Sequence, residues 1–296
     1  MMICCVSCGI AEVDEIKLKK CAACQLVRYC SVKCQKEHRW KHKGECKKRV
    51  AELRDEILFK QPESSHLKDC PICLLPLSPG EFGMQSCCSK MICLGCSLAN
   101  RRHERGELLE LKCPYCRQPT EVTQKEAEEN NKKRIEANDP SAINLMGKLC
   151  YEKGDHVSAL EYWNKAAGLG DAESQFQLSI MYFHGEGVEK DMKKWLSHTE
   201  EAAIGGHPIA RHNLGAHEEK RGRMDRAMKH FIIAANLGFH DSLQIVRKGY
   251  SAGYVTKEDF AATLRAYQIA IDATKSPQRE LVAEARKKFN SVSAHH

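Results

Sequence analysis

Sixteen of the seventeen cysteines lie before residue 117, and they fall almost entirely into pairs. Cys5/Cys8, Cys21/Cys24, Cys70/Cys73, Cys93/Cys96 and Cys113/Cys116 are each separated by two intervening residues. Cys30/Cys34, the adjacent Cys87/Cys88, and His42 with Cys46 bring the total to eight pairs. Two thiolates on one tight turn can reach the same ion, and tetrahedral zinc takes four such ligands. Sixteen ligands make four complete sites, so the expected cofactor is Zn2+, four ions, with Cys4 and Cys150 left over. Only Cys5, not Cys4, leaves the usual two-residue gap to Cys8. Domains this small cannot bury enough apolar surface to fold without the metal. The first twenty residues lack the long apolar segment of an export signal, which argues for metal over disulfides and for a reducing compartment, cytoplasmic or nuclear. No apolar run approaches a membrane span.

The first eight ligands lie in Cys5–Cys46. The stretch CAACQLVRYCSVKCQKEHRWKHKGEC resembles a MYND finger, including Tyr29 before one ligand, Gln35 after another, and Trp40 two residues before the histidine. The resemblance implies Cys5, Cys8, Cys30 and Cys34 on one ion, and Cys21, Cys24, His42 and Cys46 on the other. His42 and Cys46, four apart, would share one face of a short helix. MYND fingers bind proteins, and members grip proline-containing peptides beside the second zinc. That would use the neighbourhood of Gln35 and Trp40, although Trp40 serves equally well as core of a small metal domain, which is the simpler expectation. His38 is expected to be an exposed helix residue. The basic run KHKGECKKR is expected to be a solvated helix face. Val50, Leu53 and Ile57 at helical spacing predict a helix ending near Gln61-Pro62.

The second eight ligands lie in Cys70–Cys116, and their order resembles a RING finger, whose ligand pairs alternate between two ions. That implies Cys70, Cys73, Cys93 and Cys96 on one zinc, and Cys87, Cys88, Cys113 and Cys116 on the other. The adjacent Cys87-Cys88 departs from the usual cysteine-histidine pair, and Lys90 stands in the histidine's place three residues before Cys93. RING ligases present an apolar groove to a ubiquitin-conjugating enzyme. The resemblance puts it on Ile72, Pro114 and Tyr115, with Arg117 as the cation that locks ubiquitin in a reactive pose. Asn100 stands where an aromatic groove residue is common.

After Arg117, Thr123 to Asn138 alternates charges with hardly an apolar face. Thr123 and Glu126 form a capping-box start, predicting an exposed helix between domains. From Asp139-Pro140 the chain repeats. AINLMG at 142, SQFQLS at 174, ARHNLG at 210 and SLQIVR at 242 are separated by 32, 36 and 32 residues. Ala166-Ala167 with Gly170, Ala202-Ala203 with Gly206 and Ala234-Ala235 with Gly238 close three copies. Such periods indicate helix pairs stacked into a solenoid, with small alanines at the helix contact and a left-handed glycine at the helix end. The second copy, with its GEGV turn, resembles a Sel-type repeat, a relative of tetratricopeptide repeats. Trp163, Phe176, Tyr182, Trp195 and Phe231 are read as core, and Cys150 as a small core residue. His184, His198, His207, His212, His217, His230 and His240, without ligand-like pairing, are read as surface or helix-end residues.

The expected fold is small zinc-stabilised domains followed by all-α structure: two cross-braced zinc fingers and an α-solenoid of helix-pair repeats. The expected partition is a MYND-type finger over 1–49, a helical linker over 50–69, a RING-type finger over 70–117, a charged helical linker over 118–138, and Sel-type repeats with capping helices over 139–296. The formal charge of +7 suggests nucleic acid, but fifteen deprotonated cysteines holding four dications bring the loaded protein near neutrality. Nucleic acid is therefore an unlikely partner, and no membrane partner is expected. The expected function is a RING-type ubiquitin ligase that docks a conjugating enzyme and recruits substrate through its first finger or its solenoid, with no covalent intermediate. The alternative is a non-enzymatic adaptor.

Overall fold

The computed structural model describes residues 3–106, 111–120 and 123–293, with residues 288–293 as backbone only. The chain forms two compact units, Met1–Lys60 and Gln61–His296.

In the first unit, strands β1 (Lys19–Lys20) and β2 (Arg28–Tyr29) pair antiparallel. They precede helix α1 (Val32–Leu58), which Ser31 caps by accepting the Cys34 amide at 3.2 Å. The sequence suggested a short ligand-bearing helix and then a second one. They are one helix, because no proline or paired breaker interrupts residues 47–50. The buried cluster is Cys5, Leu18, Cys21, Cys24, Tyr29 and Cys34, so most of the core is ligand sulfur. Trp40 is not part of it; its side chain is 74% exposed. The expected core role for Trp40 is thus overturned, since α1 turns position 40 away from the metal ligands.

The second unit begins with the other eight cysteines. Strands β3 (Phe82–Met84) and β4 (Met91–Cys93) form a hairpin that feeds helix α2 (Leu94–Gly106). Ile92 is fully buried between Cys70, Leu77 and Cys93. Helix α3 (Gln124–Glu136) starts with the expected capping box at Thr123 and Glu126. It is not a free connector, however. Asn131 is buried, and Arg134 donates to the Cys88 carbonyl at 2.8 Å and pairs with Asp139 at 3.2 Å. Its lack of an apolar face follows from docking through polar side chains.

Four helix pairs follow: α4 (Pro140–Glu152) with α5 (His156–Gly168), α6 (Ala172–His184) with α7 (Met192–Ile204), α8 (Pro208–Lys220) with α9 (Met224–Asn236), and α10 (His240–Ser251) with α11 (Lys257–Asp272). Asp139, Asp155, Asp171 and Asp191 cap helix starts with their carboxylates, satisfying amides that have no partner inside the helix. Gly170, Gly206 and Gly238 close α5, α7 and α9 at φ of 86°, 84° and 86°, a conformation open to glycine at no steric cost. Ala166, Ala202, Ala203, Ala234 and Ala235 have no exposed surface. Trp163, Phe176, Tyr182, Trp195 and Phe231 are all 8% exposed or less, and they form the core. Cys150 is half-buried against the cluster around Trp163. The GEGV insertion turns back onto the preceding repeat: Glu186 accepts the Tyr151 hydroxyl, and a Cβ on Gly187 would meet His156 at 2.4 Å.

Helix α12 (Pro277–Ser293) closes the unit against α2. Its Arg279 is buried and donates to the carbonyls of Pro76 (2.6 Å), Leu75 (3.1 Å) and Thr274 (2.9 Å), and to Cys73 Sγ at 3.4 Å. The eight cysteines of residues 70–116 therefore belong to the same compact unit as the repeats, where the sequence reading separated them. No helix among the described residues is long and apolar enough to cross a membrane.

Candidate metal centres

Four of the five C-x-x-C pairs are built on the same turn, while Cys93 ends β4 and Cys96 lies in the first turn of α2. The amide four residues after the first cysteine donates to that cysteine's carbonyl: Gly9 to Cys5 at 2.9 Å, Gln25 to Cys21 at 2.9 Å, Leu74 to Cys70 at 2.8 Å, Arg117 to Cys113 at 3.0 Å. The donor residues sit at φ of 75°, 57°, 57° and 61°. Three of the four are not glycine, so local strain of about 1–3 kcal/mol apiece is held by the surrounding geometry. The turn aims backbone amides at sulfur and lowers the cost of the thiolate. The Cys24 amide holds the Cys21 thiol down to about 6, whereas hydrogen bonding to Cys8 and Cys34 pushes Cys30 up to about 12.

The adjacent Cys87-Cys88 pair follows the same logic with one ligand displaced. Ser89, at φ 55°, donates to the carbonyl of Gln85 at 2.7 Å. Residues 85–89 thus form the same turn, with Cys88 in the usual fourth place and the other ligand moved from the first place to the third. Gln85 occupies the vacated first place.

These turns gather four sets of ligand atoms, each within 4.8 Å of one another: Cys5, Cys8, Cys30, Cys34; Cys21, Cys24, His42, Cys46; Cys70, Cys73, Cys93, Cys96; and Cys87, Cys88, Cys113, Cys116. The first and third pairs share one set and the second and fourth the other, in both modules. Helix α1 serves both sets of its module, with Cys34 in its first turn and His42 and Cys46 one turn apart further on. Sulfur–sulfur distances include 3.5 Å (Cys8–Cys30), 3.6 Å (Cys30–Cys34), 3.9 Å (Cys73–Cys93), 3.9 Å (Cys88–Cys113) and 3.4 Å (Cys87–Cys116). A tetrahedral zinc with Zn–S near 2.3 Å requires edges of about 3.8 Å. Donor type, number and spacing all fit zinc. His38, expected to be exposed, is half-buried, accepting from or donating to the Tyr29 hydroxyl at 3.2 Å.

Beside the second set of the first module lies a cavity of about 640 Å³, lined by Gln35, Val32 and Val50 and by the cations Lys36, Arg39, Lys43 and Lys47. Trp40 does not line it. In the second module, Ile72 and Tyr115 occupy the third position of equivalent turns and are 41% and 47% exposed. Pro114 is half-buried beside Tyr115, and Lys90 lies over the Tyr115 ring at 5.6 Å. Arg117 is engaged: it donates to Asn100 Oδ1 at 3.3 Å and pairs with Glu104 at 3.3 Å. Glu104, on α2 and 1% exposed, also accepts from Asn100 (2.9 Å) and from the Lys112 amide (3.0 Å). Asn100 thus belongs to a partly buried polar network with Glu104, Lys112 and Arg117.

The sequence reading missed a cluster of His66, Glu173 and His207. Both histidines hold Glu173 Oε2 at 3.2 Å through Nε2, and their rings stack at 4.2 Å. The donor set suggests a metal, but the hydrogen bonds exclude one at His207. That residue caps α8, and its Nδ1 accepts the Ala210 amide at 3.2 Å. The single ring hydrogen of a neutral imidazole must then sit on Nε2, where a metal would need the lone pair. The cluster is instead a latch that ties residues 61–69 to the repeats. The His66 amide donates to the Gly206 carbonyl at 3.2 Å, and a Cβ on Gly206 would meet Ser64 O at 2.5 Å. Burial opposes ionisation of Glu173, but hydrogen bonds from His207 and His66 hold its carboxyl well below the usual range. The signal was in the sequence: His207-Pro208 aligns with Asp139-Pro140, so the histidine replaces a capping aspartate.

His207 and His230 also correct the surface reading of the repeat histidines, being 2% and 1% exposed. Burial, with Arg211 and Arg226 nearby, pushes His230 down to about 3. A lowered folded value means the unfolded chain takes up the proton first. The stability is therefore complete above the ordinary pKa of 6.5 and declines as pH falls toward 3. Between pH 8 and pH 5, wild type should lose ~2 kcal/mol more than His230→Gln, as read from urea midpoints at the two pH values. Equal losses would mean that His230 is protonated in the fold.

Residues 5–46 match the MYND finger family, and residues 140–171, 172–207 and 209–239 match the Sel1 repeat. A 62-residue stretch is 44% identical to cytochrome c oxidase assembly factor 7A of Xenopus laevis, covering 21% of this chain and 27% of that protein. A 56-residue stretch is 36% identical to HcpC of Helicobacter pylori strain J99, covering 19% of each. The chain thus spans between 19% and 27% of the length of these curated relatives. A Sel1 repeat protein from Oxalobacter formigenes aligns over 61% of this chain and 72% of its own, at 22% identity and a TM-score of 0.41. A zinc-binding finger is joined here to protein-interaction repeats.

Proposed function

We propose that this chain, built from a MYND finger and Sel1 repeats, is a scaffold holding four zinc ions whose second cysteine module acts as a RING-type ubiquitin ligase. The observation that carries the reading is the placement of Ile72 and Tyr115. They stand at the same position of two equivalent metal turns, each about half exposed, with Pro114 beside Tyr115 and Leu74 73% exposed next to Ile72. Exposed apolar side chains at equivalent places on a metal-braced frame suit docking of a ubiquitin-conjugating enzyme. The chain itself would make no covalent bond to ubiquitin; it would hold the thioester near an acceptor amine. Substrate recruitment falls to the repeats and to the basic cavity beside Gln35, which suits a proline-containing peptide. Fifteen cysteines gathered into metal-ligand sets favour a reducing compartment, cytoplasm or nucleus.

The engagement of Arg117 favours a second reading, a zinc-dependent adaptor without ligase activity. In this chain the cation that would lock ubiquitin is already shared by Asn100 and the buried Glu104. The test is autoubiquitination with a panel of conjugating enzymes, on protein whose zinc content is measured by native mass spectrometry. The ligase reading expects chains from wild type and at least a tenfold loss in Ile72→Ala at unchanged zinc. Arg117→Ala alone would strand Glu104, so it is compared with Arg117→Ala/Glu104→Gln, which removes both charges together. Zinc-replete protein inactive with every conjugating enzyme would leave the adaptor.

A further inference from the structure

A cavity of about 1080 Å³ belongs to neither the metal sites nor the exposed residues Ile72 and Tyr115. Four helices each turn one face toward it. Leu94, Leu98 and Arg101 come from α2, and Ala127 and Asn131 from α3, at helical i, i+4 and i+7 spacing. Helix α4 contributes Leu145 and Leu149, and α12 contributes Val282 and Ala285. Such stripes normally pack against one another. Here they surround a space that none of them fills, and Arg279 fixes the α12 wall by its bonds to residues 73–76.

The polar groups around this space are not neutral. Arg101, Lys132, Lys153 and Arg286 line it with a single carboxylate, Glu128; Arg286 also lies 3.9 Å from Glu81. Two further lining side chains, Ser97 on α2 and Asn131 on α3, have buried oxygens with no hydrogen-bond partner. Asn131 is 6% exposed. A bound donor would reach these oxygens through rotation about χ1 of Ser97 or the broad χ2 of Asn131.

We propose that this cavity binds an amphipathic organic anion: an extended apolar body with a hydrogen-bond donor and an acidic head. Its volume lies just above the usual range of small-molecule sites, which combine apolar walls with a few convergent polar groups. The apolar walls take the body, the Asn131 and Ser97 oxygens accept the donor, and the four cations neutralise the head. A partner helix lying in a groove would meet apolar side chains along its floor, so the unpartnered oxygens favour a small ligand.

The test uses 1-anilinonaphthalene-8-sulfonate, which carries aromatic rings, one N–H donor and one sulfonate, titrated into the full chain. Saturable blue-shifted fluorescence at one dye per chain is expected. Ala127→Trp, which puts an indole into the space, and Arg101→Glu/Lys132→Glu should each weaken it at least tenfold. Asn131→Leu should weaken it less. Circular dichroism establishes that each variant is folded; should Ala127→Trp unfold, the charge-reversal pair on exposed positions decides alone. No binding, non-saturable binding, or equal binding by folded wild type and charge-reversed protein would overturn the site.

Discussion

Stripping metal from the full chain with a chelator is expected to expose the amides of α2 and α12 to hydrogen exchange while those of α6–α9 remain protected. Zinc in sites of this kind contributes about 10–16 kcal/mol to folding, as much as the whole stability of an ordinary domain. The turn at Cys70–Leu74 would not keep its left-handed Leu74 without it. Once that turn loosens, Arg279 loses Cys73 Sγ and the carbonyls of Leu75 and Pro76. A buried guanidinium stripped of acceptors is costly, and opening α12 is the way to hydrate it. Contact between α12 and α2 is also backbone-close: a Cβ on Gly95 would meet the Arg279 amide nitrogen at 2.8 Å. Helices α6–α9 rest on Trp195, Phe231 and paired alanines, with no sulfur ligand among them. Exchange measured by mass spectrometry separates the outcomes. Protection of α12 unchanged by the chelator would show that its clamp does not depend on the metal. Loss throughout α4–α12 would show one cooperative block.

The sequence disclosed most where one local rule repeats. Ligand spacing marked the pairs, because a C-x-x-C turn is built from five consecutive residues; which pairs share a set was implied only by the resemblance to known fingers. The repeats were legible for the same reason: Ala-Ala and glycine recur at fixed places, and each does the same work in each copy. What escaped was contact between elements distant in the chain. Arg279 reaches Cys73 across two hundred residues, and no pattern around position 279 announces it. Arg134 binds Cys88 from a helix that reads as polar all round. The network of Asn100, Glu104 and Arg117 needs three residues brought together by α2 and the last metal turn; in the sequence, Arg117 reads only as a free cation. Trp40 misled for the opposite reason. An aromatic beside metal ligands is good core material, but the helical phase of α1 turns it outward.

In the third repeat, Phe231→Ala should cost about 3–5 kcal/mol, the range for emptying a buried aromatic site, and Gly215→Ala should cost about 1–3 kcal/mol by overpacking. The two residues face each other. Phe231 has no exposed surface, and a Cβ on Gly215 would stand 2.7 Å from its Cε1 and 2.9 Å from its Cδ1. The ring can approach α8 only because position 215 has no side chain. The first repeat is built the same way, with a Cβ on Gly147 falling 2.6 Å from Cδ1 of Trp163. In both, small residue and aromatic are sixteen apart, and Ser179 with Trp195 keeps that spacing in the second. The pair therefore sets how closely the helices of a repeat approach, and its two halves should be coupled. With Phe231 reduced to alanine, the methyl of Gly215→Ala has room and fills part of the void. The double variant should be more stable than the sum of the single losses allows, by about 1–2 kcal/mol, since contacting residues couple by ~0.5–3 kcal/mol. Urea unfolding of wild type, both singles and the double measures this. Additive losses would mean that the backbone of α8 already moves to admit the methyl, and that the glycine is not what brings the helices together.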